Sequence, residues 1–415
     1  MGSFLPKIKK RNYFRQEELM VSKKIRQNEK LRLKGVQRKC GFDRWRFVTN
    51  GVSSVTGEEK TFFIEFYCVN PVLSPKSPVL GFKNRYDTNM AADIQYALAG
   101  TEAAKNFNSQ TLVNPSFFMI RAGSLSSVCR QYNNYYALDD VDLRNEDLIL
   151  CVNGSDQDKK CLIGEDFTCG SVCVTEKDLV EHPEYMGNAG SMEWNLKFER
   201  AISFDHKYKS KDINWSVPGG KTDFSGKIIF NDEEFDIEPK KSFGYYDKNW
   251  GKDFSSPFFH LSSSFIKSQI TGGILQNSSI AVQGEYKGRL SVLVCLEGKK
   301  IEFHADKKKK FTVIHDCQEI TDDDIGPKLH WSCSVNDKKY VIDIDVYCRT
   351  KDLFLRDYES PEGNRKVMRV LSSGTGRGKI KLYKIVKKSL ELIEQAEISK
   401  CVCEYGNLEQ GGESC

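Results

Sequence analysis

Residues Met192 to Glu199 alternate strictly: Met192, Trp194, Leu196 and Phe198 fall on one side, Glu193, Asn195, Lys197 and Glu199 on the other. A period of two is what a strand with one buried face requires, because successive side chains leave a strand on opposite faces. The second half of the chain repeats such units, each closed by a turn dipeptide. Lys227–Phe230 ends at Asn231-Asp232, and Ser278–Tyr286 ends at Lys287-Gly288. Leu290–Leu296 turns at Glu297-Gly298 into Ile301–Ala305, and Leu329–Val335 turns at Asn336-Asp337 into Tyr340–Cys348. Short alternating strands joined this way predict an antiparallel barrel or sandwich. There is no β–α–β rhythm, and Gly374-Thr-Gly-Arg-Gly378 lacks the Gly-Lys-Ser/Thr ending of a phosphate loop.

The first half carries the same signals less regularly. Trp45–Val48, a turn at Asn50-Gly51 and then Lys60–Val69 read as strand, turn, strand. Phe117–Arg121, Asp147–Val152 and Ser171–Thr175 are further strands, with a hairpin turn at Asn153-Gly154. Asp93–Lys105 is expected to include a short helix over one mouth of this domain. Lys387–Glu397 is helical in composition but lies within β surroundings and is assigned to strand. The polar connection from His182-Pro183 to Gly190 is the expected boundary. The chain then divides into an arm over residues 1–39 and two β domains, 40–190 and 191–415.

The charge is uneven. Residues 1–39 hold 8 Lys and 5 Arg against 3 Glu, whereas the remaining residues carry 49 basic and 54 acidic side chains. Residues 13–35 lack proline and lack glycine before Gly35, and are read as a basic helix. Solvated basic helix is the expectation, with peripheral contact of residues 7–39 with an anionic membrane as the alternative and no nucleic-acid partner. The longest apolar run, Leu290–Leu296 with Ser291 inside it, is far too short to cross a membrane. The chain opens without the apolar stretch of a secretory signal, so the expected location is cytoplasmic and the 14 cysteines are expected to be reduced. Cys161, Cys169, Cys173 and the Cys401-x-Cys403 pair match no common zinc spacing, and neither metal nor cofactor is expected. His182, His206, His304, His315 and His330 are scattered and take no role.

The stretch richest in chemistry is Gly244-Tyr-Tyr-Asp-Lys-Asn-Trp-Gly251. Two phenols, a carboxylate, an ammonium, a carboxamide and an indole between glycines suit a strand end lining a cavity. They equally suit a buried aromatic cluster around a hydrogen-bonded Asp.

From Ile213 onward the chain resembles the tocopherol cyclase family and its relatives, the carotenoid 1,2-hydratases and lipocalin-like Diels–Alderases. The resemblance is carried by Asn214-Trp215-Ser-Val with Ser225-Gly226, and by Tyr246-Asp247-Lys248-Asn249-Trp250-Gly251 with Phe254. Phe258-Phe259-His260 and Gly378-Lys-Ile-Lys-Leu382 extend it, and Trp45-Arg46-Phe47 is similar to the family's opening strand. It implies two lipocalin-like β domains around a hydrophobic cavity, and proton-initiated cyclisation or hydration of a prenylated lipid without a cofactor. That chemistry needs a carboxylic acid held protonated by an apolar setting, with aromatic faces for the cation. Under this reading Asp247 is the acid, Tyr245 or Tyr246 orients it, and Trp215 and Trp250 are cation-facing walls. Asn214 stands where the family has a histidine. His260, alternating with Phe258, is expected to point into the cavity and partly replace that imidazole. Lys248 is expected to form an ion pair outside the cavity, since an unpaired charge facing an apolar pocket is costly. Asn249 is expected to stitch backbone rather than react. The alternative is a non-catalytic lipocalin-like carrier or sensor of a hydrophobic molecule.

Overall fold

The computed structural model describes residues 29–81, 114–143, 148–153, 160–204, 213–283, 289–305, 311–322, 326–363 and 366–410. Within these the fold is all-β, as the alternation predicts, and every strand pairing is antiparallel. The first sheet begins with β1 (Phe42–Ser53), β2 (Glu59–Val69), β3 (Phe117–Ser124) and β4 (Arg130–Tyr136). It continues through β5 (Val141–Asp142), β6 (Leu150–Val152), β7 (Cys161–Ile163) and β8 (Phe167–Val174). It ends with β9 (Gly190–Phe204), β10 (Ile213–Phe230), β11 (Glu233–Ile237) and β12 (Gly244–Gly251). The second sheet holds β13 (Phe258–Ser263), β14 (Phe265–Ser268), β15 (Ser279–Gln283), β16 (Ser291–Leu296), β17 (Lys299–Phe303) and β18 (Thr312–Asp322). It is completed by β19 (Gly326–Asn336), β20 (Tyr340–Arg349), β21 (Phe354–Glu359), β22 (Lys366–Val386) and β23 (Ser389–Gln410).

The sheets change between Gly251 and Phe258, not at residues 182–190. Strands β8 and β9, on either side of the expected boundary, pair directly from Phe167↔Lys197 to Val174↔Gly190. The polar stretch between them is a helical excursion. Glu176–Glu181 is capped reciprocally by Thr175 and Asp178, and a short turn of helix follows over Pro183–Tyr185. Its composition resembles that of a linker because caps and turns draw on the same small polar residues.

One turn follows its sequence chemistry closely and one does not. Asn231 and Asp232 both take positive φ, 48° and 66°, in the two-residue connection between β10 and β11. Lys387 and Lys388, at 48° and 71°, do the same between β22 and β23, so Lys387–Glu397 is a turn and strand. Asn50-Gly51, by contrast, is no turn; it lies inside β1. There Asn50 Nδ2 donates to the Ser242 carbonyl (2.9 Å) and its Oδ1 accepts from Thr61 (2.8 Å). A Cβ on Gly51 would sit 2.5 Å from Ile237 Cδ1, so the glycine serves close packing. The expected helix over Asp93–Lys105, most of the one over 13–35, the Lys287-Gly288 turn and the Gly154 half of the Asn153-Gly154 turn lie outside the described residues.

Each sheet wraps its own apolar core. That of the first contains Trp45, Phe47, Phe66, Trp194, Phe198, Phe224 and Tyr246; that of the second contains Phe259, Val292, Trp331, Ile344 and Ile380. Two further clusters lie between the sheets. One joins Phe42 and Tyr67 to Phe258, Tyr358 and Met368, and the other joins Val48, Trp215 and Tyr245 to Leu293 and Val402. The sheets therefore bury one another, and the space between the two clusters is polar.

The glycine run at 374–378 belongs to β22. A Cβ on Gly378 would lie 1.9 Å from the Asp345 carbonyl of the paired strand, where only backbone could yield. Gly378→Val is therefore expected to cost on the order of 1–3 kcal/mol or more in urea unfolding, as overpacking does. An unchanged midpoint would show that the two strands separate freely.

Candidate functional site

Strand β12 lies between β1 and β10, pairing Arg46↔Asp247 on one side and Trp215↔Asn249 on the other. Period two then sorts its side chains. Tyr245, Asp247 and Asn249 face the second sheet, while Tyr246, Lys248 and Trp250 face the interior of the first. On β1 the same rule sends Arg44 and Arg46 towards the second sheet, and Asp43, Trp45 and Phe47 inward.

Asp247 is fully buried and saturated with donors. Arg46 grips it through Nε to Oδ1 (3.1 Å) and Nη2 to Oδ2 (2.8 Å). Trp215 Nε1 (3.0 Å) and the Tyr245 hydroxyl (3.1 Å) also donate to Oδ2. The remaining Arg46 nitrogen, Nη1, donates to Glu404 Oε2 of the second sheet at 2.5 Å. The far oxygen of Glu404 accepts from Ser372 (2.9 Å) and Arg356 (3.4 Å). Arg356 in turn donates to Glu65 Oε2 at 2.6 Å, and the Tyr358 hydroxyl sits 3.2 Å from the same carboxylate. These groups form one continuous polar seam between the sheets.

The protonation states follow from the contacts. Burial alone would raise the Asp247 carboxyl, but the guanidiniums of Arg46 and then Arg44 outweigh it and hold it below its ordinary range. Glu404 is pushed the same way: burial raises it, and Arg46, His260 and Arg356 overcome this. Burial and the Asp247 charge push the Tyr245 phenol well up. His260 is lowered to about 3, first by burial and then by Arg46. Arg46 Nη2 lies 2.8 Å from His260 Nε2 and 3.4 Å from Nδ1. Ser262 Oγ is 3.0 Å from Nε2 and Gln283 Oε1 is 2.8 Å from Nδ1, and the Gln283 amide nitrogen donates on to Asn249 Oδ1.

The structure thus brings together Asp247, Tyr245, Trp215 and His260, with Phe258 beside them under the Arg44 guanidinium, 5.8 Å from the ring centroid. It separates them from Tyr246 and Trp250, which lie across the strand, so Tyr246 does not orient Asp247. Trp215 offers Asp247 its N–H edge, and Asn214 Nδ2 donates to the Trp250 carbonyl at 3.4 Å. Asn249 accepts from a side chain, Gln283, besides pairing in the sheet. With Arg46 bound to both oxygens, Asp247 is held as a carboxylate. His260 lies in the same inter-sheet seam, with its pKa lowered. Arg46, Glu404, Glu65 and Arg356 are the residues that sequence reasoning passed over. Arg44 and Arg46 alternating with Trp45 and Phe47 on one strand were the available signal, since such a strand buries cations if both its faces are covered.

A second buried polar group occupies the inner face. Lys248 Nζ pairs with Asp43 Oδ1 (2.7 Å) and donates to the Lys30 carbonyl (2.8 Å), 4.4 Å from the Trp45 ring centroid. Lys248 makes an ion pair, as expected, and the pair lies on the inner face of the first sheet. Burial, against the pull of Asp43, lowers the lysine to about 8. Residues 29–33 close over this group. Trp45 Nε1 donates to the Glu29 carbonyl (2.5 Å), Arg200 pairs with the Glu29 carboxylate (2.5 Å), and Leu33 joins the core. This end of the basic arm packs into the protein instead of standing in solvent.

Among the described residues no group of three or more His, Cys, Asp or Glu side chains is placed to hold a metal, and no helix is long and apolar enough to cross a membrane.

His260 supplies a pH test. Its folded pKa lies below the ordinary 6.5, so between pH 6.5 and about 3 the unfolded chain binds a proton that the folded chain refuses. Stability is then lost as pH falls through that window, by about 1.4 kcal/mol per unit for one proton. His260→Gln is expected to remove this part of the slope in urea titrations between pH 7 and 4. An unchanged slope would mean that His260 titrates normally.

No family model matches this chain, and no curated protein matches it. Among solved structures it is similar to a Nitrosomonas europaea protein whose assignment as an AttH is itself provisional. The identity is 11%, the match covers 86% of this chain and 92% of that one, and the TM-score is 0.35. It is also similar to kievitone hydratase from Nectria haematococca, at 9% identity over 88% of each chain, with a TM-score of 0.37. At these identities and scores the likenesses say nothing of what this chain binds or does. The tocopherol cyclase resemblance rests on the residues quoted for it alone.

Proposed function

We propose that this chain binds an apolar small molecule inside its first sheet and performs no chemistry on it. The observation that carries this reading is the state of Asp247. Protonating a double bond requires a carboxyl that holds its proton at working pH, and the charge of a bidentate guanidinium holds this one as a carboxylate. Its lone pairs are engaged by Arg46, Trp215 and Tyr245, so the groups around it serve to hold the sheets together. The inner face is aromatic: Phe47 stacks on Tyr246 at 4.3 Å, Phe198 and Phe224 lean against them, and the Lys248–Asp43 pair lies on the same face, so a ligand admitted there parts rings that now pack on one another.

A second reading keeps the acid-catalysed cyclisation or hydration of a prenylated lipid. It is favoured by the meeting of Asp247, Tyr245, Trp215 and His260 in one buried cluster, and it requires that substrate entry break the Arg46 pair.

The two part on one experiment. Purified protein is titrated with a prenylated hydroquinone and a long-chain polyene, following tryptophan fluorescence for binding and mass spectrometry for products. Saturable binding without product, retained within about threefold in Tyr245→Phe and in folded Asp247→Asn, is the expected result. Product formation that Asp247→Asn abolishes while binding persists would establish the enzyme instead.

A further inference from the structure

Strands β22 and β23 form a hairpin longer than the sheet that holds it. Strand β20 pairs with β22 only as far as Tyr340↔Lys384, and β14 pairs with β23 only as far as Ser268↔Ala396. Past these points the tip overhangs. It pairs with itself at Ile385↔Leu390 and Val386↔Ser389, and Ile385 N donates to the Lys339 carbonyl (2.9 Å). Ile380 and Leu382 point into the core of the second sheet, so by period two Tyr383 and Ile385 are turned outward. Their ladder partners Leu392 and Leu390 share that outer side. Leu390 is 57% exposed, Leu392 48%, and Ile393 40%, the last at a register shift between Leu382 and Tyr383. A single exposed leucine needs no explanation, but three large apolar side chains within four positions of a projecting tip make a patch.

The charge around the patch is of one sign. Lys381, Lys384, Lys387 and Lys388 of the hairpin and Lys338 and Lys339 of the neighbouring turn stand against two carboxylates, Asp337 and Glu391. Lys387 and Lys388 form the turn itself, at φ of 48° and 71°, where asparagine and glycine are at ease and lysine is not. A poorer turn residue is thus used twice, and what it adds is two ammonium groups at the farthest point of the hairpin. Lysines alone would serve to blunt an exposed strand edge, but leucines beside them do the reverse. Together they match the boundary between water and an anionic bilayer. Apolar side chains enter the acyl region there, lysine stems lie alongside, and the ammonium groups reach the phosphates. A second copy of the chain fits less well, because pairing the patch with itself sets lysines against lysines.

We propose that this hairpin tip docks the protein on an anionic phospholipid surface, with Ile385, Leu390 and Leu392 entering the head-group boundary and the lysines meeting the phosphates. The site belongs to the second sheet and is separate from the basic arm of residues 1–39. It stands whether or not the first sheet takes a ligand.

The test is flotation of the full-length protein with vesicles of phosphatidylcholine, with and without phosphatidylserine, at low and at high salt. Binding is expected to need the anionic lipid and to fall as salt screens it. Lys387→Gln with Lys388→Gln is expected to weaken it by on the order of tenfold or more, and Leu390→Ser with Leu392→Ser by a similar factor. These side chains lie outside both cores, so the urea midpoint of each variant is expected to match that of the parent. In Leu390→Trp, brominated acyl chains are expected to quench the new indole, while the buried Trp45, Trp194, Trp215 and Trp331 keep their emission. Variants that float as well as the parent would place the binding elsewhere, in residues 1–39 for example, and overturn the proposal. So would failure of the parent to float. A concentration-dependent dimer in sedimentation velocity that the serine variant abolishes, with vesicle binding unchanged, would make a second copy the occupant and overturn it too.

Discussion

Arg46 stands in a dry interior, and a guanidinium survives there only when its donors are matched by acceptors and its charge by carboxylates. It uses Nε and Nη2 on Asp247, Nη1 on Glu404 and Nη2 again on His260. Asp247 belongs to the first sheet, Glu404 and His260 to the second. One side chain therefore fixes how the two sheets meet, and the apolar clusters on either side of the seam pack in the register it sets. Removing Asp247 or Glu404 leaves Arg46 one carboxylate short in a buried setting. Two sheets that each wrap a core of their own are thus bound to one relative placement by polar groups that tolerate little sliding.

The same pairing decides the chemistry. Burial and counter-charge act in opposite directions on Asp247, and the outcome depends on magnitude. An ion pair at 2.8 Å is worth on the order of 5 kcal/mol at the effective dielectric of protein interiors, enough to outweigh a desolvation of several pK units. An apolar setting without Arg46 would have made Asp247 an acid. With Arg46 beside it Asp247 is held as a carboxylate, and His260 lies against the same guanidinium.

Most of the strand order was legible in the sequence because alternation and turn chemistry are local. Asn231-Asp232 makes the turn that its residue types permit, and Met192–Phe198 buries the side that its pattern marks. The misreadings have local causes too. Asn50-Gly51 looks like a turn because the same dipeptide serves where an isoleucine and two phenylalanines must pack closely. The stretch at 182–190 looks like a linker because helix caps are built from polar residues. At the site, bringing Tyr245, Asp247 and Trp215 together was within reach of period-two reasoning, which also forbids Tyr246 and Trp250 from joining them. The protonation state was not within reach. It is set by a residue 201 positions away in sequence, and no local pattern announces which arginine a carboxylate will meet.

Strand β12 separates two buried polar groups that share nothing but its backbone. On its outer side Asp247 ties it to Arg46; on its inner side Lys248 is tied to Asp43 and to the carbonyl of Lys30. A ligand entering the first sheet would meet Tyr246, Lys248 and Trp250 on a strand that cannot shift without disturbing the seam behind it. The aromatic face is held in place by charges it never touches. The seam's contribution to binding then lies in rigidity: a wall fixed before the ligand arrives loses less conformational freedom when it is filled. On this reading the ion pairs and the apolar interior lie on two faces of one strand, and the first steadies the second.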